Sequence, residues 1–271
     1  MNPLSAAILA IVQGLTEFLP VSSSGHLVLG KALLGSHAFG DSIAFELVVH
    51  LGTFLAVLVI FWKDIVNLFG IFVTRLVKPG NWSSEYRNNA EFRLTILMLV
   101  AMLPAGLVGL LLRDHISDLF SQPFMVSIAL LFTGSMLLST KYFPKGDKPI
   151  TMKRALLIGL AQALALIPGI SRSGSTISMA LGLGIKQEQA ARFSFIMVLP
   201  LIVAATGLEF IDLLKVGISS AEISILMIGL VVSFIVGIFS LKLLLELLKK
   251  GKFHYFAWYC FSVAIIGLFF F

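Results

Sequence analysis

The sequence predicts an all-α integral membrane protein folded as an inverted-topology repeat, with one re-entrant helical hairpin and three transmembrane helices in each half, six full spans and two hairpins in all. Three observations carry this prediction. The 271 residues are 58% hydrophobic and 13% charged, with a mean hydropathy of +0.99, whereas soluble domains carry about one-quarter charged residues. A polar interruption of apolar sequence occurs twice with one internal spacing, as QGLTEFLPVSSSGH from Gln13 and QALALIPGISRSGS from Gln162. The basic residues gather on one side of the implied spans. The expected organisation is a single polytopic domain over 1–271, with repeat halves of about 1–145 and 146–271.

The elements follow in order. The apolar region at about 4–34 is interrupted midway, because Leu19 precedes Pro20 and is biased out of the helical region, while the Ser-Gly cluster after it reads as a fresh helix start. Leu4–Leu19 has no basic leader and no small-residue cleavage site, so it is expected to stay in the mature chain. Spans are expected at about 43–62, 92–112 and 123–140, since a hydrocarbon core needs about 20 apolar residues. The segment from Val77 to Ala90 reads as a loop. The region at about 153–184 repeats the interruption, with Ile167 before Pro168, and spans follow at about 193–213, 222–247 and 254–271. FELVVHLG from Phe45 and FSFIMVLP from Phe193 continue the echo.

A hairpin that returns to its own side, followed by three crossings, sets the second hairpin on the opposite face. Most of the basic residues, among them Lys63, Arg75, Lys141, Lys153, Arg154, Lys186 and Lys249, then share one face, and Lys31, Arg113 and Lys215 lie on the other. The crowded face is expected in the cytoplasm and both termini outside. The net charge of +6 is read as this topological bias, with no nucleic acid as partner. Cys260 is the single cysteine, which excludes an internal disulfide or a cysteine metal cluster and suits an apolar filler.

Glu17, His26 and Arg172 lie in or beside the two breaks. An ionisable group at bilayer depth costs about 2.5 kcal/mol or more, so each is a candidate functional residue. Gln13 and Glu17, four apart, share a helix face. A purely structural role, Glu17 pairing with Arg172 to tie the halves, is the alternative. In each hairpin the second arm begins at the tip, so two helix N-termini converge and favour an anion. With the Arg172 fork and the hydroxyls of Ser22, Ser23, Ser24, Ser171, Ser173 and Thr176, the implied ligand carries phosphate or diphosphate.

PVSSSGH at 20–26 behind Glu17, and PGISRSGST at 168–176, resemble the two signature segments of the undecaprenyl-diphosphate phosphatase family, the BacA-like bacitracin-resistance type. The similarity covers essentially the whole chain. It implies a bacterial inner-membrane hydrolase that converts undecaprenyl diphosphate to undecaprenyl phosphate and inorganic phosphate, recycling the carrier lipid for cell-wall synthesis and giving bacitracin resistance, with its pocket open to the outer side. It places Glu17, Ser23, His26 and Arg172 on catalytic positions. Gln13, Ser22, Ser24, Gly25, Ser171, Ser173, Gly174 and Thr176 are expected to bind substrate. It also implies a divalent cation, Mg²⁺ or Ca²⁺, with Glu17 as its ligand. Gln13 departs from the family's frequent acid, and an amide cannot be a general base, so Glu17 must carry that role.

The partners expected are the polyprenyl diphosphate lipid and the bilayer, with a homo-oligomer left open. Phosphoryl transfer to Ser23, with Glu17 acting directly or through His26, and attack by a metal-activated water with Glu17 as base both fit the residues. The acid-phosphatase superfamily is excluded, because no histidine followed four residues later by aspartate comes after Arg172. From architecture alone, a secondary transporter or flippase for a polyprenyl phosphate lipid is the rival. His50 reads as a helix-packing histidine, and Glu46 has no assigned role.

Overall fold

Asn2 and Pro3 start the first helix: the Asn2 carboxamide accepts from the Ser5 N–H at 2.7 Å, and proline at the first helical position gives up no needed donor. In the computed structural model, residues 2–34, 43–77, 82–144, 146–203 and 220–271 are described, and every regular element among them is helical. α1 (Pro3–Thr16) ends before Pro20, and α2 (Ser23–Leu34) starts after Ser22, whose φ of 67° turns the chain. α3 (Ile43–Ile60) is followed after Phe61 by α4 (Trp62–Val77), and the two axes meet at 85°. The short α5 (Trp82–Asn88) occupies part of the segment read as a loop. α6 (Ala90–Leu111) is capped by the Asn89 side chain, which accepts from two backbone N–H groups, and tolerates Pro104 in its interior.

After α7 (Arg113–Leu119), α8 (Pro123–Ser139) again has proline at its first position and tightens into a 3₁₀ turn at Thr140–Tyr142. α9 (Met152–Leu164) and α10 (Arg172–Gly182) repeat the first hairpin's plan, with Gly169 at φ 94° making the turn and Ser171 capping α10. α11 (Gln187–Met197) breaks at Val198, and helix resumes over 199–203. α12 (Ser220–Lys249) and, after a 3₁₀ turn, α13 (Phe256–Phe270) complete the described chain.

The chain is a multi-pass membrane protein. Ala90–Leu111, Pro123–Tyr142, Ile223–Lys249 and Phe253–Phe270 are each long and apolar enough to cross a bilayer, matching four of the expected spans. Leu110 and Phe269 are 81% and 84% exposed on these helices, as lipid-facing side chains should be. The span expected at 43–62 ends at Ile60, where the chain turns into α4. α4 alternates apolar Ile65, Leu68 and Phe69 with polar Lys63, Asp64 and Asn67, the pattern of a helix lying along an interface. The span expected at 193–213 begins inside α11 and carries a break at Val198; its remainder lies outside the described residues, as do His37 and Lys215.

The two halves interlock. α1 packs on α12, and α9, its counterpart in the second half, packs on α6; α2 and α10 both pack on α8. The core is centred on Phe18, Phe61 and Phe195, with Phe195 meeting Phe18 edge-on at 5.7 Å and Phe61 in a stack at 6.2 Å. This aromatic cluster lies directly under the two hairpin tips.

Candidate active site

The hairpin tips meet through their smallest residues. A Cβ added to Gly25 would lie 3.1 Å from the Gly169 Cα, and one added to Gly174 would lie 3.4 Å from the Pro20 Cβ. Position 20 in the first motif corresponds to 169 in the second, as 25 does to 174, so the crossing contacts are matched pairs. The caps match too: Ser22 Oγ accepts from Gly25 N–H at 3.2 Å, and Ser171 Oγ accepts from Gly174 N–H at 3.1 Å. A further clamp reaches each tip from a distant helix. Thr133 on α8 donates to the Gly169 carbonyl at 2.8 Å, and the Cys260 thiol on α13 contacts the Pro20 carbonyl at 3.7 Å.

Ser23 and Arg172 occupy the same position in the two motifs, the first residue of α2 and of α10, and both engage Glu17. Ser23 Oγ donates to Glu17 Oε2 at 2.9 Å, and Arg172 NH2 donates to Glu17 Oε1 at 2.9 Å. Gln13 Nε2 adds a third bond, to Oε2 at 3.0 Å. The Glu17 and Arg172 side chains retain 13% and 18% of their exposure. Arg172 rests over the Phe195 ring, 5.8 Å from its centroid, and its NH1 is buried without a hydrogen-bond partner among the described residues. A guanidinium fixed by a carboxylate on NH2 and an aromatic face below keeps NH1 as an unused donor, the kind of group that an anion takes up.

His26 is the sequence-predicted catalytic residue that the structure does not bring to Ser23. Its Nδ1 lies 2.8 Å from the Ser22 carbonyl and its Nε2 lies 2.8 Å from the Tyr259 hydroxyl on α13, a residue the sequence did not flag. Glu17 therefore contacts Ser23 directly, with no imidazole between them.

The other expected site residues build the tips. Ser22, Ser171, Ser173 and Thr176 are buried, and their hydroxyls are engaged within the protein. Ser173 donates to the Phe18 carbonyl at 3.1 Å, and Thr176 bonds the Arg172 carbonyl at 2.8 Å and the Ser194 hydroxyl at 2.6 Å. Ser24 is half-buried and 3.2 Å from the Ser22 hydroxyl. Gln162, the counterpart of Gln13, is 3% exposed and its amide has no hydrogen-bond partner among the described residues. Leu166 stands where an acid matching Glu17 would be.

His50 is exposed and bonds its own helix through the Glu46 carbonyl, so it is not a packed core histidine. Glu46 pairs with Lys31 at 2.8 Å, joining α3 to α2. Ser194, Phe195, Thr133 and Tyr259 are the supporting residues that motif reading missed; FSFIMVLP, flagged as part of the echo, contains the first two.

The chain matches the family model for the bacitracin resistance protein BacA over residues 6–266. It belongs to the BacA family. Among curated BacA-family relatives, undecaprenyl-diphosphatase of Salinibacter ruber is 40% identical over 97% of each chain. Undecaprenyl-diphosphatase of Methanosphaera stadtmanae is 39% identical over 99% of this chain and 98% of the relative, and that of Korarchaeum cryptofilum is 41% identical over 98% of each.

For a divalent cation, this BacA-family site offers one carboxylate, and both of its oxygens already accept hydrogen bonds. No group of three or more His, Cys, Asp or Glu side chains gathers among the described residues. Such a donor set does not make an all-protein cage for a divalent cation; an ion here would take most of its ligands from water and from substrate phosphates.

Proposed function

We propose that the chain is an undecaprenyl-diphosphate phosphatase of the inner membrane, releasing inorganic phosphate and undecaprenyl phosphate at a pocket open to the outer side, where both termini also lie. The observation that carries the reading is the pair of contacts on Glu17: a hydroxyl on one carboxylate oxygen and a guanidinium from the other half of the chain on the second. Holding two halves together requires the ion pair alone. A serine donating to the carboxylate oxygen that the arginine does not hold is the arrangement of a nucleophile and its base.

Glu17 takes the Ser23 hydroxyl proton as Oγ attacks the terminal phosphorus, and the bridging oxygen leaves with undecaprenyl phosphate. Arg172 NH1 and the N-terminal N–H groups of α2 and α10 meet the phosphoryl oxygens, where charge spreads during transfer. Water then cleaves the phosphoserine, and Glu17 returns the proton to Oγ. A divalent cation, Mg²⁺ or Ca²⁺, would be held by Glu17 together with the lipid's own phosphates, and when bound it supplies neutralisation of the diphosphate charge. The isoprenoid tail stays in the bilayer, which is why no soluble domain is needed.

In detergent micelles there is no gradient, so a transporter would bind a polyprenyl diphosphate and liberate nothing. The purified protein with farnesyl diphosphate is expected to release inorganic phosphate, and a chelator to suppress it. Lipid binding without phosphate release under any divalent cation would refute the hydrolase. Ser23→Ala should abolish turnover and retain lipid binding; near-normal turnover in that variant would transfer the nucleophile's role to water.

A further inference from the structure

We propose that Tyr259 is a positioning residue for this hydrolysis: it fixes the tautomer of His26 and, through His26, holds the Ser22 turn that presents Ser23. The proposal rests on the phosphatase reading above for its catalytic consequence, while its structural part stands on the contacts alone.

A carbonyl oxygen can only accept a hydrogen bond, so the nitrogen 2.8 Å from the Ser22 carbonyl, His26 Nδ1, carries the proton. A neutral imidazole then has one acceptor left, Nε2, and the Tyr259 hydroxyl 2.8 Å away donates to it. The two rings are nearly parallel, 7° apart with centroids at 5.5 Å, so turning the imidazole breaks both the stack and the hydrogen bond. Neither imidazole nitrogen is free for Ser23.

The Ser22 turn needs holding. Its φ of 67° makes it the one non-glycine residue with positive φ among the described residues, a conformation costing about 1–3 kcal/mol unless its surroundings enforce it. Three contacts enforce it: the Ser22 carbonyl accepts from the His26 backbone N–H at 3.2 Å and from Nδ1, and the Ser22 hydroxyl caps Gly25.

The second tip serves as an internal control. Ser171, at the position matching Ser22, has a relaxed φ of −71°, and the left-handed conformation there is borne by Gly169. The residue matching His26 is Ser175, whose hydroxyl donates to the Ser171 carbonyl at 2.8 Å, the same clamp made by a far smaller side chain. An imidazole is therefore more than the clamp requires. What it adds is reach, and that reach ends on Tyr259, a residue 47% exposed at the surface of α13. The C-terminal helix thereby braces the strained turn on which the nucleophile sits.

The test is a double-mutant cycle on the full-length protein in micelles with farnesyl diphosphate, using Tyr259→Phe, His26→Asn and the pair, each checked for monodispersity. Tyr259→Phe is expected to lower kcat about tenfold, the value of one well-placed hydrogen bond, with KM changed less than about twofold. Asparagine keeps a donor for the Ser22 carbonyl and cannot reach Tyr259, so in the His26→Asn background Tyr259→Phe should change nothing further.

¹⁵N-histidine NMR supplies a readout independent of turnover. The His26 signals, assigned by their loss in His26→Asn, should report the Nδ1–H tautomer in the wild type and a mixture in Tyr259→Phe. Unchanged kcat with unchanged His26 shifts, or substitutions whose effects multiply, would overturn the proposal. If the wild type releases no phosphate, the phosphatase reading fails by itself, and the tautomer measurement still decides whether Tyr259 fixes His26.

Discussion

Replacing Glu17 with glutamine should move kcat and substrate affinity in opposite directions. The carboxylate accepts three hydrogen bonds, and in the resting protein it ties up one arm of Arg172, the arginine proposed above to meet the diphosphate. Glutamine keeps the shape and one accepting oxygen but cannot take the Ser23 proton, and loss of a positioned general base costs about 10²–10⁴ in rate. The same change removes a negative charge beside a polyanionic ligand. At an effective dielectric of about 20 and a separation of roughly 5 Å, one unit-charge pair is worth about 3 kcal/mol. Solvent reaching the partly open pair and the looser arginine should take up about half of this, leaving binding tighter by roughly tenfold.

Stability should fall only modestly, by about 1–2 kcal/mol. A fully orphaned buried charge would cost about 3–5 kcal/mol, and the amide oxygen still accepts from Arg172. Phosphate release at saturating farnesyl diphosphate gives kcat, and titration with a non-hydrolysable diphosphonate analogue gives affinity. A monodisperse Glu17→Gln variant that turns over at near wild-type rate would place the base elsewhere. Unchanged affinity would show that the Glu17–Arg172 pair does not compete with the substrate.

Arg172→Lys should lose most turnover, at least about 100-fold, while staying folded, because an ammonium cannot hold Glu17 and offer a second, fixed donor; near-normal phosphate release would refute the clamp. Gly25→Ala should cut activity and lower Tm, since its Cβ would stand 3.1 Å from the Gly169 Cα and 3.2 Å from the Ser22 hydroxyl, where backbone has little room to give; a thermal melt and a turnover assay equal to the wild type would deny the close tip crossing. Lys153→Cys and Asp114→Cys, in a Cys260→Ser background, should label from opposite sides of the membrane with an impermeant thiol reagent; labelling from one side would break the inverted topology.

The breaks were legible because proline, glycine and serine do locally what they do anywhere: Leu19-Pro20 and Ile167-Pro168 end one arm, and a serine cap starts the next. Glu17 and Arg172 were legible because charge is rare inside apolar sequence. The partners that orient them were not. Tyr259 lies in FHYFAWYCF, where an aromatic reads as an interfacial anchor, and nothing periodic links it to His26, 233 positions away. Thr133 sits within an apolar span as an unremarkable hydroxyl, and its clamp on Gly169 exists only once α8 and the second tip are packed. The turn after Ile60 was hidden for a different reason: α4 carries a readable amphipathic pattern, but counting residues to cross a bilayer stops at the end of the apolar run.

Ser23 and Arg172 stand at one position of the repeated motif, and that bears on why the two tips differ. A protein assembled from two copies of the first half would set two carboxylates and two serines against each other with no cation between them. Two copies of the second would face arginine with arginine, since Leu166 offers no acid. Either assembly, as an antiparallel pair of identical chains, would leave like charges unpaired at a mostly buried meeting point, where they are costly. The difference between the two tips is thus what makes their meeting point habitable for charge at all, and an engineered swap of one tip for the other should be rejected by the fold before any loss of chemistry is felt.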